Sequence, residues 1–199
     1  MQLQGPKSAS PLACALRGER PTTLGEVFSF VSGLYFRGKL TYGLAFARPP
    51  RGLPGVLVIT PDEGLRPWDD PMDLARLRRF AWLDIHEENP GFAEPLRRDA
   101  RALAVAISGE VVLLGSVATS KYVSILGEAL GPRLLFPSAF VGRGDMSRGS
   151  LLLRAARSGE ELAYAPVLGT VRRGPRPPKL EAIRVERSGG SRRRRDEDC

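Results

Sequence analysis

The residues best suited to chemistry are concentrated between Phe136 and Gly149, FPSAFVGRGDMSRG. Two arginines, an aspartate, two serines and three glycines within fourteen residues exceed what a connection needs. Arg143 and Arg148 offer planar forks that fit phosphate or carboxylate. Asp145, between them, suits an acid/base group or one that orients an arginine. The alternative is that Asp145 or Ser147 caps the next helix and the arginines are solvated.

A second candidate lies just upstream, in Gly115-Ser116-Val117-Ala118-Thr119-Ser120-Lys121 after the apolar run VVLL. A glycine where a strand turns into a helix lets backbone approach a ligand, and the helix start presents free N–H groups to an anion. The run is not a Walker A loop. Ser120 stands where its second glycine belongs and Tyr122 where its hydroxyl belongs. Gly115, Ser116, Thr119 and Lys121 are candidate ligand contacts, with helix capping the equal alternative for the hydroxyls. Ser138 is a further candidate, in the second loop.

Two weaker constellations complete the set. Asp62 and Glu63, in TPDEG, could activate water or be turn residues. Tyr35, Arg37 and Lys39 interleave an aromatic with cations, a mixture that suits stacking on bases and contact with phosphate. Buried aromatics and exposed charges on one helix explain it equally. His86, the single histidine, lies among acids and defines no triad. Cys14 and Cys199 have no metal-ligand spacing, so neither a metal nor another cofactor is expected.

These residues need elements to position them. Thr23-Leu24-Gly25-Glu26 fits a capping box, and Leu24, Val27, Phe28, Val31, Leu34 and Tyr35 follow at helical spacing. Gly33 and Gly38 are expected to divide that helix, with residues 40–47 as its second piece. Strands are expected at 56–60, 81–85, 111–114, 133–136 and 162–167. Helices are expected at 72–80 (with Asp70 as N-cap and Pro71 first), 92–108, 118–130 and 146–158. The alternation predicts α/β architecture: a single three-layer α/β/α domain around a mostly parallel central sheet of about four or five strands. Ligands of such folds bind beyond the carboxyl ends of the strands.

Residues 1–20 read as an extended segment, 21–169 as the α/β domain and 170–199 as a basic Pro/Arg-rich tail. The formal net charge is +8, and residues 172–199, with ten basic and five acidic side chains, supply +5 of it. Such a tail favours polyanions or simply keeps the chain solvated. A hydrophobic content of 42% excludes wholesale disorder. With no bilayer-length apolar run and no secretory pattern, a cytoplasmic location without membrane partners is expected, and no oligomeric state follows.

Over roughly residues 55–150 the chain resembles the uracil-DNA-glycosylase-like superfamily. Leu114-Gly115-Ser116 with Ala118 and Thr119, then Pro137-Ser138-Ala139, match its paired motifs, and Asp62 after VLVIT is compatible with them. The resemblance implies an α/β fold, recognition of nucleobases, and N-glycosidic bond cleavage or base exchange, with Asp62 or Asp145 activating water. Phe136 replaces the family's histidine before Pro-Ser, and the two cysteines fall short of an iron–sulfur set of four. Two functions therefore stand together. One is a nucleotide-, nucleobase- or nucleic-acid-recognising protein, an N-glycosidic hydrolase or base-exchange enzyme among them. The other is a non-catalytic nucleic-acid-binding or accessory module.

Overall fold

The computed structural model describes Leu12, Leu16 and residues 21–181. The expectations for the rest of 1–20, including Cys14, and for 182–199, including the four consecutive arginines and Cys199, lie outside the described residues.

The capping box forms as the sequence requires. Thr23 Oγ1 accepts from Glu26 N at 3.3 Å and Glu26 Oε2 accepts from Thr23 N at 2.9 Å, opening α1 (Leu24–Val31). The break then falls at Ser32 and Gly33, whose φ of 65° belongs to glycine, and α2 runs Gly33–Phe46. Gly38 is not a break. It lies within α2 against Gly149 of α6 (Asp145–Ser158), and a Cβ on Gly38 would stand 2.7 Å from the Gly149 carbonyl oxygen.

The remaining order is β1 (Leu57–Ile59), β2 (Leu65–Pro67), α3 (Leu74–Ala81), α4 (Pro90–Ala106), β3 (Val111–Val112), α5 (Ser120–Leu130), β4 (Leu134–Pro137), α6 and β5 (Tyr164–Pro166). Short 3-10 turns, Gly131–Arg133 and Ser138–Phe140, flank β4.

The expected mostly parallel central sheet is not present. Among the described residues there are six α-helices and two small sheets. β1 and β2 form an antiparallel pair, Leu57 opposite Pro67. In the three-stranded mixed sheet β3-β4-β5, β3 is parallel to β4 and β5 antiparallel to it. The physical reason begins at Thr60-Pro61-Asp62-Glu63-Gly64. Gly64, at φ 74°, and Thr60, whose Oγ1 donates to Gly64 O at 2.9 Å, fold β1 straight back into a hairpin. No helix carries the chain over to a parallel neighbour. Residues 81–85 form no strand either: Ala81 ends α3, Trp82 is its C-cap and 89% exposed, and the next residues are irregular. The N-cap of α3 is Asp73, accepting from Arg76 N at 2.7 Å, rather than Asp70.

Two apolar clusters hold the elements. The larger includes Tyr35, Tyr42, Phe92, Leu96, Val117, Leu126, Leu134, Phe136, Phe140 and Leu152. The smaller gathers Leu12, Leu16, Leu24, Val27, Val58, Met72, Leu77 and Phe80, with Phe28, Phe36 and Trp68 against it. Helix α2 serves both, through Tyr35 and Tyr42 on one side and Phe36 on the other. Its apolar residues therefore fall on two faces instead of one stripe. No helix among the described residues is long and apolar enough to cross a membrane.

Candidate functional site

The α2–α6 crossing builds the site. Two facing glycines let the backbones touch, which brings side chains from α2 and the first turn of α6 together. Tyr35, Lys39, Tyr42 and Phe46 follow one another at steps of four, three and four on α2. The Tyr35 hydroxyl donates toward Leu114 O (3.0 Å) and Gly115 O (3.2 Å), tying α2 to the loop after β3. Lys39 Nζ stands 4.0 Å from the centre of the Tyr35 ring. Burial pushes the Tyr35 phenol up to about 12, against the opposing pull of the Arg148 guanidinium.

Arg148 is only 6% exposed. Its Nε and Nη2 donate to Phe140 O at 3.3 and 3.2 Å, and its guanidinium lies 5.4 Å from the Phe140 ring centre. The nearest carboxylate, Asp145, is 3.8 Å from Nη1 and its side chain is 70% exposed, so the buried charge is loosely offset. Desolvation lowers the Lys39 ammonium to about 8. Asp145 opposes that shift, while Arg148 and Lys121 reinforce it. Lys121, in the first turn of α5, lies 5.0 Å from the Tyr122 ring centre. Arg148 and Lys121 thus both act on Lys39, with one solvent-facing carboxylate opposing them.

Lys39 also lines a cavity of about 830 Å³ whose walls are largely apolar. Tyr42, Phe46, Ile59, Leu114, Gly115 and Tyr122 contribute, and β1 and β3 lie on its sides. These two strands thus face a common space that could hold a ligand. Away from Lys39, Tyr42 and Tyr164 share a hydroxyl–hydroxyl bond of 2.6 Å, and Tyr164 donates to Glu161 Oε1 at 2.9 Å. Burial and these two bonds raise the Tyr164 phenol above its ordinary value.

Of the residues singled out by sequence, Tyr35, Lys39, Gly115, Lys121, Asp145 and Arg148 converge. The others do not join them. Asp62 Oδ2 accepts from Arg79 Nε at 2.6 Å, and Glu63 is held by both Arg76 and Arg79. That network fastens the hairpin turn to α3. Arg143 donates to Ala139 O (3.1 Å), Ser147 Oγ (3.2 Å) and Pro178 O (3.3 Å). Ser138 Oγ donates to Ala163 O at 3.1 Å, joining the end of β4 to the approach to β5. Thr119 is the N-cap of α5 without a side-chain capping bond. Glu87 instead accepts from Ser120 Oγ (2.5 Å) and Ser124 Oγ (2.6 Å), bonds that hold its carboxyl below the usual range, Ser120's the more strongly. Ser116 is half-buried and Arg37 exposed.

Sequence reasoning missed Tyr42, Tyr122 and Tyr164. The signal for Tyr42 was present in its helical step from Tyr35 and Lys39, and Tyr122 adjoins Lys121. Also unforeseen is the course of residues 170–181 over the site loop. Arg172 donates to Val117 O at 3.2 Å, and Arg173 to Ala118 O at 3.1 and 2.7 Å. No group of His, Cys, Asp and Glu among the described residues is arranged to hold a metal ion. The chain matches no family model, no curated protein and no solved structure.

Proposed function

We propose that the chain binds a nucleotide-class ligand: a planar heterocycle seated in the cavity, with its anionic group beside Lys39, Lys121 and Arg148. One observation carries this reading, the position of Lys39 both in the cavity wall and within the cation cluster. An apolar space with a few convergent polar groups is the usual form of a small-molecule site. Three partly or fully buried cations with one loosely placed carboxylate favour an anion. Tyr42 and Tyr122 supply aromatic surface for the heterocycle.

Binding accounts for these residues better than glycosidic-bond chemistry does. Phe136, at the family's histidine position, is fully buried in the larger core and brings no polar group. Asp62 is engaged by Arg79. The test is thermal unfolding and calorimetry with nucleoside mono- and triphosphates, alongside the free nucleosides. Ligand at about a hundred times its Kd stabilises by about 2.7 kcal/mol. Phosphorylated ligands should exceed nucleosides, and Lys121→Gln should weaken the former alone. If no nucleotide shifts the transition, the reading is wrong.

A nucleic-acid ligand is the second reading. What favours it is the pair Arg172 and Arg173 beside the Val117–Ser120 loop, with Arg176 and Lys179 following in the same segment. A salt titration of single-stranded DNA and RNA binding tests it, because released counterions make log K fall linearly with log salt. No binding at low salt removes it.

A further inference from the structure

Lys39 is one of four lysines in the chain, with Lys7, Lys121 and Lys179. Apart from its place over the Tyr35 ring, its Nζ has no hydrogen bond or ion pair among the described residues. It borders the cavity of about 830 Å³, where a ligand would lie within reach. The groups that face it are Tyr35 on its own helix, Asp145 and Arg148 from α6, and Lys121 from α5. Two of these are cations and the single carboxylate makes no ion pair with it. A lysine desolvated beside other cations is the arrangement that activates an amine for attack on carbonyls.

We propose that Lys39 is a carbonyl-capturing amine, its Nζ condensing with an aldehyde or ketone carried by a ligand in the cavity. The nitrogen lone pair forms the C–N bond while the carbonyl π pair moves to oxygen, giving a carbinolamine after proton transfer from nitrogen to oxygen. Loss of that oxygen as water, with the second nitrogen proton, leaves the imine. Amine and carbonyl in, imine and water out: no oxidant or reductant is involved. Lowering of the ammonium to about 8 supplies free amine near neutral pH. The inference rests on the reading above only in taking the cavity as the ligand's seat. It does not depend on a phosphate.

The experiment is reductive trapping of the full chain with 4-nitrobenzaldehyde and cyanoborohydride, mapped by peptide mass across pH 7 to 10.5, a range that spans the ordinary lysine value of 10.5. Lys39 should label roughly tenfold or more faster than Lys121 and Lys179 at pH 7.5. Its rate should be half-maximal near pH 8 and saturate with aldehyde. Asp145→Asn, which removes the group favouring the ammonium, should raise the neutral-pH rate by about twofold or more. Lys39→Arg should abolish the label at that position while Lys179 still reacts. Labelling of Lys39 no faster than of Lys179, or rising only toward pH 10.5, overturns the proposal, and both are read on the unaltered chain. Nucleotide-induced stabilisation without selective labelling overturns this inference alone. Selective labelling without any nucleotide effect overturns the nucleotide reading alone.

Discussion

Gly38 and Gly149 meet where α2 crosses α6, and neither has room for a side chain there. A Cβ on Gly38 would lie 2.7 Å from Gly149 O, and one on Gly149 would lie 2.9 Å from both Leu34 O and Tyr35 Cα. The obstacles are backbone atoms, which cannot rotate aside. Tyr35 and Lys39 sit within a turn of Gly38, and Arg148 adjoins Gly149. The spacing of the site is therefore set by this contact.

Gly38→Ala sets two effects against each other. Alanine gains about 1 kcal/mol of helix propensity over glycine, while overpacking a close contact costs about 1–3 kcal/mol and more where backbone is the obstacle. The clash should win, with a net loss of about 1–2 kcal/mol in urea unfolding and a weaker ligand response. Gly109→Ala, where nothing stands within 4 Å of the added carbon, is the control and should lack this steric loss.

Lys39 makes stability depend on pH in a predictable direction. Its folded value of about 8 lies below the ordinary 10.5, so between these values the unfolded chain holds more protons. Unfolding free energy should therefore rise with pH from about 8 toward 10. Above 10 the Tyr35 phenol, raised to about 12, acts oppositely, because the unfolded chain loses that proton first. Lys39→Met should stabilise at pH 7 by on the order of 1–3 kcal/mol, an advantage that fades as the lysine's own penalty is relieved. Urea titrations of both proteins across this range check it.

Tyr35→Phe keeps the ring under Lys39 and removes the hydroxyl that donates to Leu114 O and Gly115 O. Losing that donor beside half-buried carbonyls should cost about 1–2 kcal/mol. Amide exchange in residues 115–120 should accelerate more than in α4. Uniform acceleration across the chain would show that the hydroxyl does not pin this loop.

Asp62→Asn separates the hairpin network from the site. Its tie to Arg79 involves a half-exposed arginine, and such pairs contribute about 0–1 kcal/mol. Stability should fall only slightly and nucleotide affinity should stay within about twofold, 0.4 kcal/mol. A larger loss of affinity, measured by calorimetry, would return Asp62 to the ligand.

Local chemistry was legible where its partners are close in sequence. Thr23 and Glu26 stand three apart, and the capping box forms as read. Asp145 and Arg148 are also three apart and share the first turn of α6, so their neighbourhood could be seen in advance. What joins them to Tyr35 and Lys39 could not, because that depends on two glycines far apart in the chain. Asp62 looked available because the arginine that holds it, Arg79, belongs to a later helix. The sheet is hidden from sequence for a similar reason. VLVIT has the composition of a buried central strand, but the following turn returns it upon itself, and apolar residues facing a cavity look in sequence like apolar residues facing a neighbouring strand.

The segment from 170 to 181 is attached differently from everything beneath it. Its ties are arginine side chains on carbonyls, Arg172 and Arg173 reaching Val117 and Ala118, and Arg143 and Arg154 reaching Pro178 and Glu181. No strand or helix is assigned to residues 171–181. A stretch so held is expected to open locally at a free energy below that of global unfolding. The molecule therefore keeps two clocks. The helices should exchange with solvent at the pace set by their packed cores, and the covering segment faster.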